Sequence, residues 1–213
     1  MVNSRARCGP DAENGTMFTT IHRFFYGVAW LMAVIGGAVL GILILMMCIS
    51  IIGREASDIL HSEWVRSTMP GFAQSLLDAG VGPVFGDYEF LVAGLAFSIF
   101  CFIGWCQITG GHATVDVFTA GLSDRKRRWL QMVIDVVFAV ALVLIAIQLY
   151  DGMNTQMRRR STTFLLQYPL WYNYALALGP AILSAAIGVY MAGVRIAEAM
   201  LNRTLVTVHG ADH

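Results

Sequence analysis

His112 and Asp116 stand four residues apart in the stretch TGGHATVD, 109–116. On a helix that spacing puts an imidazole and a carboxylate on one face. Such a pair could ligate a metal, but no further donors cluster around it. A membrane haem needs two histidines in facing spans, and His22, His61, His209 and His213 all lie outside the apolar runs. Asp135 is the one acidic residue well inside such a run. Charge there is costly, so it marks either a relay or a paired structural group. A relay normally needs more than one such residue, and Arg128 on the same helix is one turn-compatible partner. No Walker A, GxSxG or HExxH pattern is present, so the sequence gives no sign of an enzyme. No catalytic, cofactor-binding or metal-binding residue is assigned.

The elements that carry these residues follow from composition. The chain has 213 residues, of which 57% are hydrophobic and 13% charged, with a mean hydropathy of +0.64. Soluble domains run near ~45–50% apolar and ~25% charged. The balance therefore points to a membrane protein. A net charge of zero gives no bulk attraction to nucleic acid. The four cysteines include no CxxC pair and read as reduced. The N-terminus lacks a signal peptide's short apolar centre and cleavage site, so the first apolar run is expected to stay as an anchor.

Four runs are long enough to span: 24–52, 90–108, 130–150 and 171–194. Each has close to the ~20 residues that a helix needs to cross a bilayer core. Unbroken apolar runs exclude a barrel, so the expected fold is all-α, with four transmembrane helices and short interfacial amphipathic segments. The first run would be ~44 Å long as a helix and must tilt or project. Residues 1–20 and 197–213 read as polar tails around a membrane domain at 21–196, with a long loop at 53–89. Within that loop, 70–79 has the spacing of an interfacial amphipathic turn. Nine basic residues fall on the side of the termini and five on the other, which predicts cytoplasmic termini. Arg158, Arg159 and Arg160 are the dissenting cluster. Tryptophans and tyrosines near the run ends read as an aromatic belt, and Pro180 predicts a kink in the fourth span.

In this frame TGGHATVD reads as an exit turn. Gly110 and Gly111 let the second span end. His112 and Asp116 then hydrogen-bond in the headgroup layer, and Ser123–Asp124 caps the next helix, whose first turn carries RKRR.

The ordered set of features resembles the small, DctQ-like membrane subunit of tripartite ATP-independent periplasmic (TRAP) transporters. Arg54 closes the first span in CISIIGR, as the arginine of an N-x-x-x-R ending does in that family, though the asparagine is missing here. GDYEFLVAG, 86–94, places Glu89 at the acidic lead-in to span two. The segment 104–130 contains the G-x-H-x-x-x-D pattern, with His112 and Asp116 on its histidine and aspartate, before a basic helix start. TFLLQYPLWYNYALALGP, 163–180, gives the proline–aromatic start of span four, with Pro169 and Trp171 in place. The resemblance runs from Arg54 to about Gly193; the loop around 64–84 looks longer than is usual there.

The resemblance implies a small permease subunit in the bacterial inner membrane, not an enzyme and without a cofactor. Its partners would be a large multi-span permease subunit, a periplasmic substrate-binding protein and membrane lipid. The transport supported would be sodium-coupled uptake of an organic acid. Arg54, Glu89, Gly111, His112, Asp116, Asp135, Pro169 and Trp171 are the positions expected to shape its structure or partner contacts. Two other readings stand beside it: a haem-binding anchor of an electron-transfer complex, and a self-sufficient small transporter using Asp135.

Overall fold

The computed structural model describes residues 11–68, 70–78, 80–110 and 124–201. They form six helices: α1 Asp11–His61, α2 Glu63–Thr68, α3 Pro70–Asp78, α4 Asp87–Thr109, α5 Asp124–Arg159 and α6 Trp171–Leu201. Four of these, α1, α4, α5 and α6, are long and apolar enough to cross a membrane. The fold is thus the all-α, four-span architecture that the apolar runs predict.

The helices outrun those runs. α1 has 51 residues, roughly 76 Å of helix against a ~30 Å bilayer core. It begins at Asp11, inside the polar N-terminal stretch, and continues past Gly53 to His61. Hydropathy marks where lipid ends, but an intrahelical hydrogen-bond ladder has no reason to stop there. The helix stops at Ser62, whose N–H turns back to the Ile59 carbonyl. α3 coincides with the interfacial segment read at 70–79 and opens on Pro70, where a missing N–H costs nothing. α4 is closed by Gly110 at φ +64°, whose N–H caps the Cys106 carbonyl. This is the left-handed exit that glycine supplies most easily. α6 runs on through Pro180.

α4 packs against α1 on one side and α6 on the other, and α5 packs on the far side of α6. Half of α6's span is buried, compared with 17% for α1 and for α5, so α4 and α6 form the centre. The contacts of α4 with α1 and with α6 are made by small residues. A Cβ on Gly36 would lie 2.7 Å from the Cys101 Cβ, and one on Gly104 would lie 2.9 Å from the Ser184 Oγ. Lipid offers no hydrophobic drive between helices, so close backbone approach and interhelical hydrogen bonds replace it. Ser98 Oγ donates to the Gly36 carbonyl at 3.0 Å, and Ser184 Oγ to the Phe100 carbonyl at 2.6 Å. Ala29, Met32, Cys101, Ile108, Ile187 and Met191 complete a core near one end of the bundle. Trp105 packs against that core rather than standing in an aromatic belt. Near a run end a tryptophan can face inward or outward, and sequence position alone does not say which.

Candidate functional site

Polar groups gather at the two ends of the bundle. At the end where α4 and α6 begin, Ser50 on α1 is wholly buried and donates to Asp87 Oδ2 at 2.5 Å. Asp87 Oδ1 accepts the Tyr88 N–H at 2.7 Å. Arg54, one turn beyond Ser50, approaches the same carboxylate at 3.6 Å with 57% of its side chain exposed. An ion pair so open to solvent contributes at most about 1 kcal/mol. A buried hydrogen bond to a charged group contributes about 1.5–3 kcal/mol. Ser50 rather than Arg54 therefore holds Asp87. The Ser50 Oγ also accepts the Val84 N–H at 3.2 Å. Gly53 lies against the Gly82 carbonyl with no room for a side chain. Together these contacts tie the chain ahead of α4 to α1.

Glu89 is 8% exposed and faces the opposite neighbour. Its two carboxylate oxygens accept the N–H groups of Leu165, at 2.7 Å, and Leu166, at 3.1 Å. Those residues belong to a tight hairpin between α5 and α6. The Thr163 N–H bonds the Tyr168 carbonyl, the Leu170 N–H bonds the Ser161 carbonyl, both at 2.9 Å, and Thr162 bridges Pro169. The hairpin turns through positive φ at Arg160 and Gln167. Gly86, at φ +79°, lets Leu166 pack where a Cβ would collide with it. Tyr168 Oη donates to Asn173 Oδ1 at 2.7 Å, which fixes the hairpin to the first turn of α6.

At the other end, Asp135 of α5 pairs with Arg195 of α6 at 3.2 Å, and Arg195 also reaches Glu198 at 2.8 Å. All three side chains are at most 16% exposed. The sequence offers Arg128 as a partner for Asp135; the Arg128 side chain lies outside those described. α6 is packed directly alongside, and it supplies Arg195.

The structure therefore brings Arg54, Glu89, Pro169 and Trp171 to one end of the bundle and leaves Asp135 at the other. Trp171 opens α6 and stacks on Tyr172 with centroids 4.0 Å apart. Gly111, His112 and Asp116 lie outside the described residues. Ser50, Asp87, Arg195 and Glu198 are partners the sequence reading does not name. Ser50 carried one signal: it is the only serine or threonine in the run 24–52. It also stands four residues before Arg54, where the resembled ending has its asparagine.

Each of these groups is spent on holding one helix to another. Among the described residues, no three His, Cys, Asp or Glu side chains are placed to hold a metal. A groove of about 320 Å³ lies along α5 and α6, lined by Leu144, Ile145, Gln148, Leu149 and Tyr174. Its mostly apolar walls suit an acyl chain or an apolar side chain better than a charged solute.

Four spans joined by small residues, with ionic clasps at both rims, describe a membrane component. Residues 43–200 match the family of tripartite ATP-independent periplasmic transporters, DctQ component. The chain belongs to that family. No curated protein and no solved structure matches it. The DctQ match begins within α1, ends within α6 and contains every residue of both clasps. It reaches further at each end than the resemblance read from motifs. The chain is accordingly a multi-pass inner-membrane protein and the DctQ-type small component of a TRAP transporter.

Proposed function

We propose that the chain braces a large multi-span permease subunit and supports sodium-coupled uptake of an organic acid delivered by a periplasmic binding protein. The observation that carries this reading is the DctQ match over residues 43–200, which takes in the later part of the first candidate span and all of the other three. The exposed apolar faces of α1 and α5 suit it. Ile42, Leu45 and Ile52 on α1, and Val137 and Leu144 on α5, are all more than half exposed. Such faces meet lipid or another membrane protein.

Both termini are cytoplasmic in this reading, following the nine-to-five distribution of basic residues. The membrane domain covers 21–196, and the segment 53–89 lies in the periplasm. Gly111, His112 and Asp116 form the turn after α4, while Arg54, Glu89, Pro169 and Trp171 shape the periplasmic rim.

The test is capture of the tagged chain from its native membrane in mild detergent, with mass identification of what accompanies it. A large multi-span protein is expected. A partner-free oligomer overturns the reading. His112→Ala should weaken the captured complex and leave substrate preference unchanged.

A further inference from the structure

The hairpin between α5 and α6 holds one apolar side chain entirely in the open. Phe164 is 99% exposed, more than any other large apolar residue among those described. A pliant loop would fold such a ring away from water. This loop is not free to do so. The N–H groups of Leu165 and Leu166, immediately after Phe164, are taken by Glu89. The N–H of Thr163, immediately before it, is taken by the Tyr168 carbonyl. The ring is held out by its neighbours' backbone bonds.

Just before the hairpin, Arg158, Arg159 and Arg160 are all exposed. No carboxylate pairs with them among the described residues. Three adjacent free guanidinium groups beside an exposed ring form a cationic and apolar patch.

The height of this patch follows from the helix register. Gly152 of α5 is packed on the Tyr174 ring of α6. The three arginines lie six to eight residues beyond Gly152, roughly 9–12 Å along the helix axis. The hairpin then returns to Trp171, one turn above Tyr174. Tyr150, Tyr172, Phe85, Tyr88 and Phe90 are exposed around the same end. Exposed aromatics of this kind mark a hydrocarbon boundary. The hairpin thus occupies the headgroup layer, roughly 5–8 Å thick, and long arginine side chains can reach back into it.

We propose that residues 158–165 form a docking site for anionic phospholipid headgroups. Phe164 enters the boundary of the acyl region, and the arginines bond the phosphates. Charge complementarity and continuity with the aromatic rim select lipid as the occupant. Guanidinium groups pair with phosphate oxygens through two parallel N–H bonds.

The experiment uses the full chain without partners, so its outcome is separate from that of subunit capture. Native mass spectrometry would follow the purified chain in detergent with equal amounts of phosphatidylglycerol and phosphatidylcholine. The wild type should retain phosphatidylglycerol preferentially. The triple variant R158Q/R159Q/R160Q should lose that preference by on the order of tenfold. Arg23→Gln, exposed at the opposite rim, should keep it. Equal retention of both lipids by the wild type, or an equal loss in Arg23→Gln, overturns the proposal. In vesicles, Phe164→Trp should add emission that a headgroup-nitroxide lipid quenches. Emission that the nitroxide does not reach, or quenching that disappears when the large permease subunit is added, overturns it too. The second of these outcomes assigns the hairpin to a protein instead. The altered side chains are exposed, and circular dichroism would check that each variant folds.

Discussion

The Ser50 hydroxyl, wholly buried on α1, donates to the Asp87 carboxylate at the head of α4, 2.5 Å away. Thirty-seven residues separate the two in sequence, and the intervening segment bends back so that they meet. This bond outweighs the more visible ion pair beside it.

Ser50→Ala should destabilise the protein by about 1.5–3 kcal/mol, because a buried carboxylate loses its hydroxyl donor. Arg54→Ala should cost less than about 1 kcal/mol. Unfolding in detergent, followed by circular dichroism, ranks the two. A larger loss for Arg54→Ala would reverse the assignment.

Glu89→Gln replaces one accepting oxygen with an amide group that can only donate. Either the Leu165 or the Leu166 N–H then faces a donor. Amide hydrogen exchange at these residues should accelerate by roughly tenfold or more, from the ~1.5 kcal/mol or more that such a bond contributes. Exchange in the middle of α4 should not change. Unaltered exchange at both leucines would show that the hairpin holds its shape without Glu89.

Arg195→Leu leaves two buried carboxylates without their shared cation, a change that costs about 3–5 kcal/mol. Asp135→Leu combined with Arg195→Leu should cost less than the sum of the single changes, since neither charge of that pair is then left exposed to apolar surroundings. Strict additivity in the double-mutant cycle would mean that the two side chains do not interact in the membrane.

Gly36→Val should force α1 away from α4, because its Cβ already meets the Cys101 Cβ at 2.7 Å. Overpacking of that kind costs about 1–3 kcal/mol. Gly37→Ala is the control: nothing lies within 4 Å of its Cβ position. It should be neutral or stabilising by up to about 1 kcal/mol. Thermal unfolding of both variants compares a packed with an open position on the same helix.

The spans were legible in the sequence because apolar runs of about twenty residues have few alternatives to a transmembrane helix. The glycine exit at Gly110 was legible for a related reason, since the φ of +64° found there is one that glycine adopts freely. Helix lengths were less legible. Hydropathy reports the solvent around a helix and not its ends, so α1 and α5 run beyond their apolar runs. Charge partners were the least legible. Glu89 was singled out, but nothing in GDYEF says that its oxygens would take backbone N–H groups near residue 165. Asp135 calls for a basic partner, but nothing in its own helix names Arg195, which α6 brings alongside. Such pairings are properties of the bundle, and a single chain read in order does not display them.

The Asp135–Arg195 pair has a consequence for how the protein enters its membrane. α5 precedes α6 in the chain, so Asp135 arrives before Arg195, its partner across the helix interface. A carboxylate is disfavoured by about 2.5–3.5 kcal/mol at the centre of a bilayer, and by less toward the rim where this pair lies. Insertion of the third span is therefore favoured by the arrival of the fourth. The short hairpin between them lets both pass through as one folded pair. The last two spans behave as a single unit of insertion, and a chain truncated before Arg195 should leave its third span poorly seated.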